Sequence, residues 1–345
     1  MNIADGRKRA ASILDVARLA GVSHQTVSRV INDQQNIRPS TREKVERAIQ
    51  QLNYRPNSAA RALVTKKTRT IGVYNSGGAF FGPASTLVGF TDAARAAGYQ
   101  VNVINRTLHT VEPVQNVIDS LQGHNVDGIV AIAAEFDSIG ALQGVRLNVP
   151  LVAAESSGQR GVPSVSIDQC SGARMATEHL IELGHRRILH VAGPAHSSDG
   201  TERIRGWHQT MSAHDLPAAE PILGDWSPAS GYAAGQEIAR RLKADPRCCT
   251  AIVSGNDQMA LGIIKAFNAA GISVPRDVSI VGFDDIPEAE FFLPPLTTVR
   301  QQFDRLGQEI MGTMLKVLAG QHLDEPVIIS PEFVIRSSTA PAAQS

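Results

Sequence analysis

The first pattern along the chain is a run of short amphipathic segments near its N-terminus. In "GVSHQTVSRVIND", residues 21–33, Val27, Val30 and Ile31 recur at helical spacing and predict a shared buried face. Ser23 suits the helix N-cap, because its hydroxyl can accept a bond from an unpaired backbone N–H. The same spacing gathers polar side chains on the opposite face, which we call the recognition strip: His24, Gln25, Ser28 and Arg29.

Two further helices flank this segment. "SILDVARLAG" predicts a helix from a Ser12 cap to Gly21. "STREKVERAIQQLNY" predicts another, which begins with Ser40 and Glu43 at the spacing of a capping box. Pro56 then marks a boundary before the charged "VTKKTR". Three short helices with a tight turn between the first two predict a helix-turn-helix head.

Beyond residue 69 the pattern changes to short β-rich runs separated by amphipathic stretches. The runs are "RTIGVYNS", "YQVNVIN", "VDGIVAIAA", "VPLVAAE", "RILHVAG", "TAIVSGND" and "VSIVGFDD". This alternation predicts βαβ units and therefore an α/β body with mostly parallel sheets. Ligands in such sheets bind beyond the carboxyl ends of the strands. The polar residues that end the runs are candidates for this reason: Asn75, Ser76, Glu155, Asn256, Asp257, Asp284 and Asp285.

Charge is divided unevenly along a chain whose formal net charge is zero. Residues 1–69 carry fourteen basic and five acidic side chains, a net charge of +9, and the remaining residues therefore carry −9. A basic head on an acidic body indicates that the head meets a polyanion. Nucleic acid is the leading candidate, and an anionic membrane surface is the second.

Cysteines and apolar stretches bear on the compartment. Cys170, Cys248 and Cys249 form neither an even disulfide framework nor a C-x-x-C pattern, which favours a reducing cytoplasm. The basic N-terminal "MNIADGRKRAAS" is followed by no apolar core, and no stretch approaches eighteen apolar residues. We therefore expect a cytoplasmic protein that is neither secreted nor membrane-spanning.

Several motifs occur in one order over nearly the whole chain: "LDVARLAGVSHQTVSRVIND", "STREKVERAIQQLNYRPN", "EHLIELGH", "GDWS", "GNDQMALG", "VSIVGFDD" and "LPPLTTVRQ". With them the chain resembles the lactose repressor family of bacterial transcription regulators, from about Ser12 to about Thr339. The resemblance implies an all-α helix-turn-helix head, a hinge helix and an α/β two-lobed core like that of periplasmic binding proteins. The expected divisions are a disordered arm (1–11), the DNA-binding domain (12–56), the hinge helix and linker (57–69), an effector-binding and dimerisation core (70–339) and a tail (340–345).

The resemblance assigns the DNA contacts residue by residue. His24, Gln25 and Arg29 match the base-reading positions, and their chemistry fits, since arginine can bond guanine and glutamine can bond adenine in bidentate fashion. The member of the family that the chain most resembles has tyrosine at the position of His24. Phosphate contacts are implied for Ser23, Thr26, Ser28 and Asn32. The hinge and minor-groove positions are Asn57, Ala60 and Leu63, with Leu63 as an apolar wedge between base steps.

The resemblance also implies a sugar effector in the core. The matching residues are Ser76, Phe80, Glu155, Ile167, Arg203, Trp226, Asn256, Asp284, Gln301 and Phe303. An indole can cover the apolar face of a pyranose, and charged or amide groups can bond its hydroxyls. Glu155 and Ile167 depart from the most similar member, which has aspartate and phenylalanine there, so the edge of the pocket is expected to differ. We expect a galactoside-like effector that separates the hinge helices and releases double-stranded operator DNA.

Other classes of function were weighed against this one. A solute-binding protein for transport would share the two-lobed core, but the basic head and the missing signal peptide disfavour it. An enzyme would need a nucleophile with a base or a set of metal ligands, and His185, His190 and His196 have no ligand spacing. Adjacent Asp284 and Asp285 point to opposite faces of a strand. We expect no catalytic residue, cofactor or metal, while a non-sugar or co-repressing ligand remains an alternative.

A homodimer is the expected assembly. Two recognition helices must reach the two half-sites of an operator, and this requires two heads. The C-terminal residues after the β-like "PVIISPEFVIRSS" carry no leucine heptads of the kind that build a coiled coil, so a tetramer is not expected.

Overall fold

The computed structural model describes residues 11–31, 37–54, 67–77, 80–105, 114–132, 140, 142, 144–154, 161–323 and 325–342. The chain forms two compact units, Met1–Thr68 and Arg69–Ser345.

The first unit contains three helices in its described part: α1 (Ile13–Ala20), α2 (His24–Ile31) and α3 (Pro39–Gln51). Ser12 caps α1 in a full capping box, since its hydroxyl accepts a bond from Asp15 N and the Asp15 carboxylate accepts one from Ser12 N at 2.9 Å. Gly21 ends the helix in the left-handed conformation, with φ 69°. The predicted helix from Ser12 to Gly21 is therefore confirmed.

A small apolar core holds the three helices together. Val16 on α1, Val27 on α2 and Val45 on α3 are each 0% exposed and meet in one cluster. Val30 is buried as well, and Ile31 packs at the edge of the same cluster. The apolar face predicted for residues 21–33 is therefore present, and it fixes which side of α2 turns outward.

The capping box predicted at the start of α3 is wrong. The N-cap residue is Arg38, and no side chain bonds the first turn. Pro39 occupies the first helical position, where its fixed φ suits the helix and its missing N–H is not needed. Ser40 therefore lies inside the helix, and Glu43 pairs with Arg47 one turn later instead.

The second unit consists of two lobes, each built on a six-stranded sheet. The N-terminal lobe has the strand order β11-β5-β4-β3-β1-β2, and all of its neighbouring strands are parallel. Its strands are β1 (Thr70–Asn75), β2 (Gln100–Asn105), β3 (Gly128–Ile132), β4 (Leu151–Ala154), β5 (Ser164–Ile167) and β11 (Val327–Ile329). Its helices α4 (Phe81–Ala96) and α10 (Phe303–Leu318) pack into one core cluster, and α5 (Val114–Gly123) packs into another.

The C-terminal lobe has the order β12-β10-β9-β8-β6-β7, with β12 as its one antiparallel strand. Its strands are β6 (Ile188–Ala192), β7 (Ile222–Leu223), β8 (Ala251–Ser254), β9 (Ser279–Asp284), β10 (Thr297–Arg300) and β12 (Glu332–Val334). Helices α6 (Gln169–Glu182) and α7 (Ser198–Ala213) pack into one core cluster, and α8 (Pro228–Ala244) and α9 (Asp257–Ala270) pack into the other. The expected helix-turn-helix head and two-lobed α/β core are both confirmed.

The chain passes between the lobes three times. It leaves β5 for α6 at Asp168, leaves β10 for α10 at Gln301 and Gln302, and leaves β11 for β12 at residues 330–331. The first and third crossings touch, because Asp168 N donates to Ile329 O at 2.9 Å. The segments that any change in lobe orientation must bend are therefore next to one another.

Two smaller features complete the core. Ala340, which we expected in a tail after the core, donates its N–H to Ser279 Oγ at 3.1 Å, and Ala342 N donates to Leu183 O at 2.8 Å. In the part of the chain that the structure describes, no helix is both long and apolar enough to cross a membrane.

Candidate functional site

The recognition strip lies on the outer face of α2. His24, Gln25 and Arg29 are exposed, and Ser28 is partly buried. Val27 and Val30 anchor the opposite face of the helix in the head core, so the three exposed side chains are presented together. An exposed helix face with an arginine and a glutamine one turn apart has the donors and acceptors that read base edges in a major groove.

Ser23 and Thr26 serve the start of this helix. The Ser23 hydroxyl accepts a hydrogen bond from Thr26 N at 3.2 Å, and the two hydroxyl oxygens lie 2.9 Å apart. The predicted cap is therefore present, whereas the phosphate contacts of both residues stay a prediction. Four residues predicted to contact DNA lie outside the described residues: Asn32, Asn57, Ala60 and Leu63.

A cleft lies between the lobes at the carboxyl ends of the parallel strands. It encloses about 770 Å³, including solvent at its mouth. Eight of the ten side chains predicted to contact an effector line it: Phe80, Ile167, Arg203, Trp226, Asn256, Asp284, Gln301 and Phe303. The topology explains this gathering, because a parallel sheet brings the ends of all its strands to one edge.

Arg203 is the central cation of the cleft wall. It is 4% exposed, and its guanidinium carbon lies 3.8 Å from the ring centroid of Phe283 and 5.2 Å from that of Trp226. Nη1 donates to Gly255 O, and Nη2 lies 3.6 Å from Asp284 Oδ1. A buried guanidinium held on several sides keeps a fixed orientation and can present its remaining donors to a ligand.

Asp284 is the buried carboxylate that faces this arginine. It is 6% exposed and accepts a hydrogen bond from Gln301 Nε2 at 2.6 Å. Burial raises the pKa of Asp284 from 3.8 to about 6, against the opposing effects of Arg203 and of the Gln301 hydrogen bond. The residue also adopts φ 113°, a backbone conformation that side-chain-bearing residues rarely hold. The next residue, Asp285, turns away to pair with Arg300 and Arg336, as the strand geometry predicts.

Trp226 forms an aromatic wall on a loop between β7 and α8. It has φ 72°, and its indole lies so close to Gly193 that a Cβ there would overlap the ring. Asn256 fixes the loop, since its Nδ2 donates to Trp226 O at 3.1 Å. The Oδ1 atom of Asn256 accepts from Met259 N at 2.8 Å and caps α9, so this side chain lines the cleft and supports its structure at once.

The N-terminal lobe contributes an apolar wall. Phe303 at the start of α10 stacks edge to face with Phe81, and the ring centroids are 5.7 Å apart. Phe80 and Ile167 complete this side, while the charged lining residues Arg203, Asp199 and Asp284 all come from the C-terminal lobe. A ligand in the cleft therefore meets charged groups on one side and an apolar surface on the other.

The two remaining predicted effector residues are Ser76 and Glu155. Ser76 is buried, and its hydroxyl donates to Ile132 O at 3.2 Å. Glu155 lies outside the described residues. Asp257, another strand-end candidate, is fully buried and accepts hydrogen bonds from Ile286 N at 2.9 Å and Thr298 Oγ1 at 2.6 Å, so it ties α9 to the C-terminal sheet.

Five polar residues of the cleft lining were not predicted from the sequence: Thr86, Ser166, Gln169, Ser197 and Asp199. Two of them, Gln169 and Asp199, could have been found. Gln169 is 4% exposed and follows β5, a strand that the sequence analysis did not recognise. Had "SVSI" been identified as a strand, the rule that ligands bind at strand ends would have pointed to the residues after it. Asp199 lies in the first turn of α7, four residues before Arg203, so a helical projection from that arginine would have found it.

His185 and His190 are held by hydrogen bonds inside the C-terminal lobe. His185 Nδ1 lies 2.9 Å from Thr250 Oγ1, and its Nε2 lies 3.0 Å from Ala340 O. Burial lowers the pKa of His190 to about 4, and its Nδ1 donates to Val253 O at 2.9 Å. Among the residues that the structure describes, no three His, Cys, Asp or Glu side chains are grouped to hold a metal ion.

Two known protein families match this chain, one near its N-terminus and one in its C-terminal half. The family described as "Bacterial regulatory proteins, lacI family" matches residues 12–57, which contain α1 to α3. The family described as "Periplasmic binding protein-like domain" matches residues 177–339, which contain most of the C-terminal lobe.

Individual relatives cover almost the whole chain. The lactose operon repressor of Escherichia coli (strain K12) is 34% identical over 336 residues, which are 97% of this chain and 92% of that protein. The HTH-type transcriptional repressor PurR of Glaesserella parasuis serovar 5 (strain SH0165) is 35% identical over 343 residues, 95% of this chain and 98% of that protein. A crystal structure of the lac repressor dimer bound to operator and the anti-inducer ONPF superposes with a TM-score of 0.84 at 32% identity, covering 96% of this chain and all of the other.

Proposed function

The chain belongs to the lacI family of bacterial regulatory proteins, whose members are DNA-binding transcriptional repressors and not enzymes, and from this premise we propose that a sugar bound in the interlobe cleft releases it from its operator. The observation that carries the proposal is the buried Arg203–Asp284 pair facing an aromatic and apolar wall. Family membership alone does not select the ligand, since relatives of nearly equal identity include both the lactose operon repressor and PurR.

The polar side of the cleft matches a polyhydroxylated ligand. Arg203 offers donors, and Asp284 offers carboxylate oxygens that accept hydrogen bonds, so neighbouring hydroxyls can bond both groups at once. Arg203 and Asp284 balance each other's charge, and Asp199 adds a further carboxylate to the same wall. A neutral hydroxylated molecule therefore fits this wall better than an anion, which would meet Asp284 and Asp199.

The aromatic walls supply the complementary feature. A pyranose carries apolar C–H groups on its faces, and Trp226 presents an indole that can cover one of them. Phe80 and Phe303 provide an apolar surface on the opposite lobe. A galactoside-like sugar with its hydroxyls toward the C-terminal lobe uses both sides of the cleft.

The head is the operator-binding part of the proposed repressor. His24, Gln25 and Arg29 read base edges, and Ser23, Thr26, Ser28 and Asn32 contact phosphates. Asn57, Ala60 and Leu63 act at the hinge in the minor groove. The net charge of +9 on residues 1–69 supplies the attraction to DNA. Two heads are required for two half-sites, so the functional form is a homodimer that acts on DNA in the cytoplasm.

Regulation follows from linkage between the two sites. A ligand that binds both lobes favours one lobe orientation, and it shifts the equilibrium by the difference between its affinities for the two orientations. The three crossings are the segments that transmit this change. By reciprocity, the sugar lowers the affinity for operator by the same factor by which operator lowers the affinity for the sugar.

A thermal-shift screen of the full chain tests the ligand class. The panel contains neutral mono- and disaccharides, with methyl β-D-galactoside among them, and free nucleobases as a planar non-sugar arm. A sugar at one hundred times its dissociation constant is expected to stabilise the protein by about 2.7 kcal/mol. A shift with nucleobases and none with sugars would replace the sugar by a non-sugar effector.

Trp226→Ala is the matching variant test. It should remove the sugar-induced shift, measured against the variant's own ligand-free melting temperature, which should lie below that of wild type because the indole packs against Gly193. Leu223→Ala, on the neighbouring strand β7 and outside the cleft lining, is the control and should keep the shift. Binding of the sugar by Trp226→Ala with wild-type affinity would place the ligand elsewhere.

A further inference from the structure

Four buried side chains of the cleft form a closed polar ring, which we call the cleft ring. Arg203 Nε donates to Gln169 Oε1 at 2.9 Å, and Gln169 Nε2 donates to Gln301 Oε1 at 2.9 Å. Gln301 Nε2 donates to Asp284 Oδ1 at 2.6 Å, and that oxygen lies 3.6 Å from Arg203 Nη2. Each of the four residues is at most 7% exposed, so water does not replace these bonds.

The cleft ring has a fixed direction. A guanidinium only donates, so Gln169 must turn its oxygen toward Arg203 and its amide nitrogen toward Gln301. Gln301 then accepts with its oxygen and has its nitrogen left for Asp284. If the side-chain amide of Gln169 or of Gln301 were reversed, two donors or two acceptors would face each other inside the core. Gln169 therefore determines how Gln301 and, through it, Asp284 are held.

The cleft ring includes residues at two of the three lobe crossings. Gln169 follows Asp168 directly at the first crossing, and Gln301 is part of the second. Arg203 lies on α7 and Asp284 at the end of β9, both in the C-terminal lobe. The side chains that face the cleft are thus bonded to the segments that bend when the lobes move.

We propose that Gln169 is a positioning residue of the effector site, which orients Arg203 directly and Asp284 through Gln301 and couples both to the lobe crossings. This inference rests on the proposed function of the cleft. A hydroxyl that bonds Arg203 and Asp284 competes with the bonds inside the cleft ring. A ligand in the cleft therefore changes the hydrogen bonds of Gln301, and the second crossing, which contains Gln301, changes its conformation.

Two substitutions at Gln169 separate its two bonds. Gln169→Met keeps the length of the side chain and removes both, leaving Arg203 Nε–H and Gln301 Oε1 without their partner. Gln169→Glu keeps the acceptor for Arg203 and removes the donor to Gln301. Gln122→Met is the matched control, since Gln122 on α5 also donates one hydrogen bond, to Arg146 O at 3.3 Å, and accepts another, from Asn148 N at 2.7 Å, outside the cleft lining and the crossings.

The first measurement needs no ligand. The Nε–H signal of Arg203, assigned by its loss in Arg203→Lys, is followed by side-chain NMR for its exchange with water in the full-length protein. We expect slow exchange in wild type, Gln169→Glu and Gln122→Met, and exchange at least tenfold faster in Gln169→Met. If Gln169→Met fails to fold, Gln169→Glu still tests the cleft ring, because its carboxylate should keep the exchange of Arg203 Nε–H slow. Equal rates in wild type and Gln169→Met, or fast exchange in folded Gln169→Glu, would overturn the cleft ring.

The second measurement follows release of labelled operator by methyl β-D-galactoside. Gln169→Met should need at least tenfold more sugar than wild type for both binding and release. Gln169→Glu should bind the sugar within about threefold of wild type and still need at least tenfold more sugar for release. Gln122→Met should bind the sugar and release operator as wild type does. Wild-type release by Gln169→Met overturns the inference. If the wild-type protein binds no sugar, the proposed function is overturned instead. The exchange rates of Arg203 Nε–H then test the hydrogen bonds of the cleft ring by themselves.

Discussion

At the scale of single residues, the two proposed sites differ in how their side chains are held. The recognition strip is exposed and depends on α2 for its position, whereas Arg203 and Asp284 are buried and held by several partners each. An exposed side chain can be replaced with little effect on folding, so its loss reports directly on DNA binding. Replacing a buried charged residue affects both folding and ligand binding, so such a variant needs one measurement of stability and one of binding.

Arg29→Ala should weaken operator binding by about 1–3 kcal/mol and relax the preference at one base pair, because a bidentate contact to a base is lost. Gel shifts with an operator and its single-base variants measure both effects. Arg47→Ala, which removes an equal charge from α3, is the control and should affect all sequences alike. Unchanged discrimination in Arg29→Ala would remove Arg29 from the base-reading residues.

The pH dependence of sugar binding should follow Asp284. Its pKa in the free protein is about 6, and a ligand whose hydroxyls donate to the carboxylate binds the ionised form. Affinity should therefore fall as the pH drops through 6, by about tenfold between pH 7 and pH 5. Asp284→Asn should bind more weakly and with a flat profile over this range. A wild-type profile without a step near pH 6, measured by titration calorimetry, would contradict this assignment.

The same carboxyl makes the stability of the ligand-free protein depend on pH. A pKa raised from 3.8 to about 6 in the folded state means that folding favours the protonated form. The stabilisation that this form provides is present below pH 4 and is lost as the pH rises through 6. Sugar binding above pH 6 offsets part of this loss of stability. The sugar-induced thermal shift should therefore be largest above pH 6.

At the scale of elements, the C-terminal lobe depends on close approach between helices. A Cβ at Gly262 on α9 would overlap Pro228 O at the start of α8, and a Cβ at Gly231 on α8 would overlap Met259 O on α9. The two helices thus cross at glycines on both sides. This contact sets the position of Asn256, which caps α9, and hence of the Trp226 loop that Asn256 holds.

Gly262→Ala should destabilise the protein by about 1–3 kcal/mol, because the helices must move apart to admit a methyl group. Gly312→Ala on α10 is the control, since a Cβ there meets nothing within 4 Å. The control should be neutral or stabilising by up to about 1 kcal/mol, as expected for alanine over glycine in a helix. Urea denaturation of the two variants compares them directly, and equal stability would refute the proposed crossing contact.

At the scale of the whole molecule, we expect two large apolar side chains outside the core to contact a second copy of the chain. Phe291 and Leu293 are 76% and 84% exposed in the segment between β9 and β10. Apolar residues of this size at such exposure are typical of protein interfaces. A homodimer that buries them also provides the two heads that an operator with two half-sites requires.

Leu293→Asp should shift the protein from dimer toward monomer in multi-angle light scattering and weaken operator binding, because a buried charge at the interface opposes association. Leu223→Asp is the control, since Leu223 is 55% exposed on the opposite edge strand of the same sheet. A dimer that is as stable in Leu293→Asp as in wild type would locate the interface elsewhere.

The sequence by itself determined most of the local elements of this protein and eight of the twenty described residues that line its cleft. Helix caps, apolar spacing and strand runs depend on neighbouring residues, and they predicted α1, α2 and seven of the strands. Strands β5, β7 and β10 were not predicted. β7 has two residues, and "SVSI" and "TTVR" contain at most two apolar residues each, whereas the equally long β4 and β8 lie in longer apolar runs. The start of α3 was mistaken because Pro39 and a capping box compete for the same turn.

Only the tertiary structure decided how side chains far apart in the chain share their bonds. Gln169 and Gln301 are 132 positions apart and meet because two lobe crossings lie side by side. The raised pKa of Asp284 and the double role of Asn256 depend likewise on burial and on partners from other elements. No local pattern encodes these contacts, because they arise when the sheets bring separate strand ends to one edge and exclude water from them.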